Sequence, residues 1–75
     1  MTSPAAVRLQ ARVLAHLHAY PGLTAHEVAR ALRLIDGWGR PQARSAEVAL
    51  FALEAAGHIR RDRDGSGRRI WHPVP

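Results

Sequence analysis

The pattern of apolar and polar positions predicts three helices followed by a two-stranded hairpin. In the first segment, Leu9, Val13, Leu17 and Tyr20 recur at intervals of three or four residues, as on the buried stripe of a helix. We predict helices over about residues 4–20, 25–35 and 41–56 and a hairpin over about residues 58–72. The same spacing assigns inner positions in the second and third helices: Val28, Ala31, Leu32, Ile35, Ala46, Ala49, Leu50 and Leu53.

Two helix boundaries carry specific signals. Thr24 and Glu27 have the spacing of a capping box, in which each side chain binds a free backbone N–H of the first turn. Leu23 and Val28 flank it as a hydrophobic staple, so two independent features place the start of the second helix. Gly57 follows the third apolar stripe and can adopt the left-handed conformation that ends a helix.

The last segment reads as a hairpin rich in arginine. Asp64-Gly65-Ser66-Gly67 predicts a turn, and Ile59 before it and Ile70 or Trp71 after it are the apolar anchors. Strand alternation lets about three of the arginines face one surface, where they would contact phosphates. The alternative is that Asp62 and Asp64 pair with them. The arginines are Arg60, Arg61, Arg63, Arg68 and Arg69.

Composition fits one small basic domain spanning residues 1–75. The chain is 47% hydrophobic, which is ample for a packed core, although a core of this size gives only thin stability. Eleven basic and six acidic residues give a net charge of +5, which favours polyanionic partners. Every basic residue is arginine, and abundant alanine beside arginine also fits a GC-rich genome, which weakens the charge as evidence.

Several classes of function find no support. The chain has no cysteine, and its five histidines are scattered, so we expect no metal and no cofactor. No set of nucleophile, base and acid appears, and therefore we expect neither an enzyme nor a small-molecule substrate. No apolar run is long enough to cross a membrane, and the start Met1-Thr2-Ser3-Pro4 lacks the features of a secretion signal, which leads us to expect a cytoplasmic protein.

Residues 13–17, 21–32 and 49–61, together with the basic hairpin, resemble the winged helix-turn-helix superfamily of DNA-binding proteins, broadly the MarR-like bacterial regulators. The resemblance implies a mainly α fold with a small β-hairpin, in which the second helix positions the third. It also implies that the third helix is the recognition helix and that the hairpin is the wing.

The third helix and the turn before it depart from that family. The turn from Leu34 to Arg44 is long, which would tilt the third helix or add a contact surface. The outward positions of the helix are mostly apolar, although reading base edges requires donors and acceptors. We therefore also predict an interface with a second copy or a protein partner, formed by Val48, Phe51, Ala52, Ala55 and Trp38.

Candidate groove contacts lie at the start of the third helix, where such proteins concentrate them. They are Arg40, Gln42, Arg44 and Ser45, and the alternative is a solvated first turn. Trp71 is expected to close the core beneath the wing with one edge in water. Its placement resembles the wing tryptophan of winged helices that bind Z-form nucleic acid. That subfamily has a tyrosine and a wing proline pair where this chain has Phe51 and no such pair, so we do not expect that function.

Two hypotheses follow. The first is a sequence-specific double-stranded DNA-binding protein, a transcriptional regulator acting as a homodimer, with the third helix in the major groove and the wing on the phosphate backbone. The second is a winged-helix module for protein–protein interaction (an anti-repressor, assembly or docking factor) that uses the apolar outer face of the third helix.

Overall fold

A computed structural model describes residues 3–75, and Met1 and Thr2 lie outside the described residues. Three helices precede a two-stranded antiparallel sheet: α1 (Pro4–Ala19), α2 (Ala25–Ala31), α3 (Ala43–Ala55), β1 (Ile59–Arg63) and β2 (Arg69–Pro73). The predicted fold class, mainly α with a C-terminal hairpin, is confirmed. None of the helices within residues 3–75 is sufficiently long and apolar to span a membrane.

The start of α2 follows the predicted capping box. The Glu27 N–H donates to Thr24 Oγ1 at 3.1 Å, and the Thr24 N–H donates to Glu27 Oε1 at 3.0 Å. This helix has only seven residues, so the predicted extension to residue 35 is wrong. Arg33 adopts φ 57°, and the Leu34 N–H donates to the Ala29 carbonyl at 2.8 Å. This is the usual closing turn of a helix, but arginine holds the position where glycine would have signalled it.

The bounds of α3 also differ slightly from the prediction. Pro41 forms an isolated antiparallel bridge with Ile35, so the loop continues to residue 42 and the helix begins two residues later than predicted. At the other end Gly57 has φ 82°, and the His58 N–H donates to the Leu53 carbonyl at 3.0 Å. Gly57 therefore ends the helix as predicted.

The core lies between the three helices and the base of the hairpin. The predicted inner positions of α3 are all buried, as are Val13 and Leu17 of α1. The other buried core residues are Val28, Ala29, Ile59 and Trp71. Three predicted inner positions are wrong, since Tyr20, Ala31 and Ile35 are exposed. Ile35 does not reach the core because α2 has already ended. Tyr20 lies beyond the end of α1, and the centre of its ring is 5.1 Å from that of the His16 ring.

Strand β2 joins the hairpin to the helices. The Trp71 N–H donates to the Leu23 carbonyl at 3.0 Å, and the Gly22 N–H donates to the Trp71 carbonyl at 2.9 Å. Trp71 is fully buried, and its Nε1 has no hydrogen-bond partner within the described chain, so the expected wet edge is wrong. The face of the hairpin that carries the buried residues Ile59 and Trp71 therefore packs against the helices.

Candidate nucleic-acid interface

The two faces of the hairpin carry different residues. The register pairs Arg61 with Trp71 and Arg63 with Arg69, and strand alternation places these four side chains on the face that meets the helices. We call this face the inner face of the wing. Arg60 lies on the opposite, outer face. The structure thus brings three of the five predicted wing arginines onto one surface.

Arg61 is a structural clamp between the wing and α3. Its Nη2 lies 2.6 Å from Glu54 Oε1 and its Nε 2.7 Å from Glu54 Oε2, a two-pronged ion pair. The guanidinium also lies 5.5 Å from the centre of the Phe51 ring and 5.2 Å from that of Trp71. The hydrogen bonds from Arg61 lower the pKa of Glu54, and those to Glu54 raise the pKa of Arg61. The Arg61 side chain is therefore engaged by Glu54, Phe51 and Trp71 of the same chain.

Arg60 and Arg68 are also paired, in agreement with the alternative prediction that Asp62 and Asp64 pair with wing arginines. Arg60 Nη1 lies 3.5 Å from Asp62 Oδ2, and Arg68 Nε lies 2.9 Å from Asp64 Oδ2. Asp64 Oδ1 also accepts from the Ser66 hydroxyl at 2.7 Å and from the Arg68 N–H at 2.9 Å. These bonds hold the pKa of Asp64 well below its ordinary value. The turn at the tip is therefore ordered by its own side chains.

Arg63 and Arg69 are different, because they face each other directly across the two strands. Among residues 3–75, neither has a carboxylate within ion-pairing distance. Arg63 Nη1 donates only to the Gly67 carbonyl, at 2.7 Å. Like charges directly opposite each other destabilise a sheet. The pair is therefore a local concentration of positive charge without a contact ion pair in the described chain, and Glu54 acts on Arg69 only at longer range.

These arginines line a cleft of about 650 Å³ between the wing, α2 and α3. The walls contain four arginines, of which Arg68 is paired with Asp64, and two carboxylates. One of these carboxylates, Glu27, is held in the capping box, where the Thr24 N–H chiefly lowers its pKa. The cleft is therefore electropositive and open to an anion. Its lining residues are Thr24, Ala25, His26, Glu27, Arg30, Ala43, Glu47, Arg63, Arg68, Arg69 and Trp71.

Of the four residues predicted at the start of α3, Gln42, Arg44 and Ser45 line one groove, whereas Arg40 does not. Arg40 lies in the preceding loop, where its Nε is 3.2 Å from Asp36 Oδ2. Gln42 is the residue before the first turn, and its Oε1 accepts from the Ser45 hydroxyl at 3.1 Å. Arg44 is exposed and has no side-chain hydrogen bond or ion pair to the described residues. It is the member of this set best placed to reach a ligand.

The apolar outer face of α3 is smaller than the sequence suggests. Val48 is 65% exposed, but Phe51 is only 38% exposed because its ring packs edge-on against that of Trp71, with 5.7 Å between the ring centres. Ala52 is half-buried and Ala55 is exposed. Sequence reasoning missed the Glu54–Arg61 clamp and the place of Glu47 in the cleft. The available signal was that Glu47 and Glu54 lie seven residues apart, which places both carboxylates on one side of α3.

Comparison with known proteins addresses the fold. No family model matches this chain, and no curated protein matches it. Its structure is similar to the crystal structure of the apo-Zalpha of zebrafish PKZ, with a TM-score of 0.77 over 95% of this chain and 98% of that chain. The two sequences are 15% identical, so the likeness concerns the fold. It supports the fold predicted from the sequence, three helices followed by a C-terminal hairpin, and does not bear on the MarR-like kind.

Proposed function

We propose that this protein binds double-stranded nucleic acid, with a phosphate backbone lying in the cleft between the wing and the helices. The observation that carries the proposal is the facing pair Arg63 and Arg69, whose charges are not neutralised by ion pairs in the described chain. A phosphate between them would replace a repulsion by two charge-assisted hydrogen bonds. Arg30 on the opposite wall of the cleft would hold the same strand from the other side.

In the finer form of the proposal the ligand is DNA, read in sequence by the start of α3. Arg44 offers a guanidinium fork that matches the two acceptors of a guanine edge, and Glu47 offers an acceptor for a cytosine amino group. A domain of this size supplies few base contacts, so a homodimer on paired half-sites would be the acting form. This is the role of a transcriptional regulator of the MarR-like bacterial kind, and it involves no catalysis.

A charge-matched pair of double variants tests the cleft. R63A/R69A removes the two unpaired wing arginines, whereas R8A/R60A removes the same charge from the exposed face of α1 and from the outer face of the wing. Fluorescence anisotropy with a labelled duplex over a salt series gives the affinity and its salt slope. We expect R63A/R69A to flatten the slope by about 1.8, the value for two lost phosphate contacts, and R8A/R60A to change it little. Equal slopes in the two variants would refute the cleft as the site.

The duplex form is a separate question. Two features of the winged helices that bind Z-form nucleic acid are absent from this chain. Phe51 stands where they have a tyrosine, and the wing, which carries Arg68 and Arg69, has no proline pair. We therefore propose a right-handed duplex as the ligand. Titration with a duplex of alternating methylated cytosine and guanine, held in the left-handed form, provides the comparison. Tighter binding to that duplex, with a left-handed circular dichroism signal in the complex, would overturn this part of the proposal.

A second candidate is a protein-interaction module, which the 65% exposure of Val48 and the 82% exposure of Trp38 favour. Such a module would associate with a second copy or another protein in the absence of nucleic acid. Size-exclusion chromatography with light scattering, over a range of protein concentrations, distinguishes the two. A monomer that becomes larger only when duplex is added supports nucleic-acid binding, whereas association of the free protein favours the module.

A further inference from the structure

The loop between α2 and α3 is ordered by a single aspartate. Asp36 Oδ1 accepts from the Trp38 N–H at 2.8 Å and from the Arg40 N–H at 3.0 Å. The Asp36 N–H donates to the Arg40 carbonyl at 2.8 Å, and the bridge between Ile35 and Pro41 closes the base. These hydrogen bonds also lower the pKa of Asp36, with that from the Arg40 N–H contributing most. The loop therefore has a defined conformation. We call residues 35–41 the Trp38 loop.

The Trp38 side chain lies outside the core. It is 82% exposed, and the Arg40 guanidinium lies over its ring at 5.4 Å from the centre. Because the backbone and the neighbouring cation are both held by Asp36, little further ordering is needed for a ligand to use the indole ring. An exposed tryptophan contributes little to folding, so the fold offers no reason for this residue type here.

The glycines on either side keep the approach to the ring open. Gly39 has φ 78°, which favours glycine for conformational reasons. Gly37 has no such requirement, and a Cβ added there would meet nothing within 4 Å. Two neighbours without side chains leave room for a flat group to approach the indole.

The charges around the Trp38 loop suit a polyanion. Arg33, Arg40 and Arg44 lie in or beside the loop, against the single carboxylate of Asp36. A groove of about 560 Å³ lies between the loop and the first turns of α3. Ala43 borders both this groove and the cleft between the wing and the helices, so the two surfaces are continuous around the start of α3.

We propose that Trp38 and Arg40 form a stacking platform for an unpaired nucleobase next to the duplex held in the cleft. The inference rests on the proposed function and specifies its ligand further, as a duplex that continues into a single strand. Aromatic rings stack on any base because every base has a π face, and arginine adds a cation–π contact. The groove that shares Ala43 with the cleft, and that Arg44 lines, would give the strand a path from the cleft to the loop.

The test compares a blunt 12-base-pair duplex with the same duplex carrying a three-thymidine overhang at either end. We expect the wild-type protein to bind the overhanging duplex about tenfold more tightly, the factor expected for one stacked base. W38A should remove this preference while leaving the affinity for the blunt duplex unchanged. W38F should keep most of it, and W38L, which retains bulk without a π system, should lose it. V7A, a truncation of an exposed apolar residue on α1, is the matched control and should keep the preference.

Tryptophan fluorescence gives an independent readout. Trp71 is fully buried and Trp38 is exposed, so quenching by the overhang should come from Trp38 and disappear in W38F. Blunt-duplex binding without any overhang preference would overturn the stacking platform and leave the cleft intact. A preference that W38L retains would show apolar contact instead of stacking and would also overturn it. No binding of either duplex at low salt would overturn the proposed function and this inference together.

Discussion

Replacing Arg69 with threonine should make the free protein more stable and its complex weaker. Arg69 lies directly opposite Arg63, and neither forms a contact ion pair in the described chain. A directly opposed pair of like charges costs about 0.5 kcal/mol in an exposed position. For a domain of this size that free energy corresponds to a rise of about 2–4 °C in Tm.

The same substitution at Arg60 provides the control. Arg60 lies on the outer face of the same hairpin and is paired with Asp62, so R60T changes the strand propensity in the same way but removes an attraction. Calorimetry at 10 mM and 1 M NaCl separates the two causes. The Debye length falls from about 30 Å to about 3 Å over this range, so the gain from relieved repulsion should largely vanish at high salt.

Binding measured on the same two variants completes the test. R69T should flatten the salt slope of duplex binding by about 0.9, the value for one phosphate contact, while R60T should leave it unchanged. Equal Tm shifts in R69T and R60T at low salt, or a gain that persists in 1 M NaCl, would refute the repulsion between Arg63 and Arg69. The stabilisation would then come from strand propensity alone.

Two further predictions concern stability. T24A should lower the free energy of unfolding by about 1 kcal/mol, because the capping box starts the seven-residue helix α2, and urea unfolding of T24A beside T24S measures this loss. D64N should lower stability at pH 7, because the pKa of Asp64 is lower in the folded state than in the unfolded state, and that contribution is present above about pH 4 and lost as the pH falls further. Urea unfolding of wild type and D64N from pH 7 to pH 2 should give free energies of unfolding that approach each other as the pH falls; a constant separation would contradict the assignment.

The sequence predicted most of the fold because its local signals agreed with one another. The capping box at Thr24 and Glu27, the helix end at Gly57 and the buried stripe of α3 all lie where the pattern placed them. The end of α2 was missed because the left-handed turn uses Arg33 and not glycine. The sequence therefore carries no glycine that would mark this turn. In the structure the turn is closed by the hydrogen bond from the Leu34 N–H to the Ala29 carbonyl.

The sequence did not show which wing arginines are available to a ligand, because the tertiary structure decides which of them are paired. Charge and spacing identified a basic hairpin, and its five arginines were indistinguishable at that level. Strand register set Arg63 against Arg69, and the packing of the hairpin on α3 brought Arg61 to Glu54, seven residues away along the chain. Local backbone preferences are encoded residue by residue, so the order of elements could be inferred from the chain. The neutralisation of a charge depends on distances between elements, which exist only once the helices and the wing have packed together.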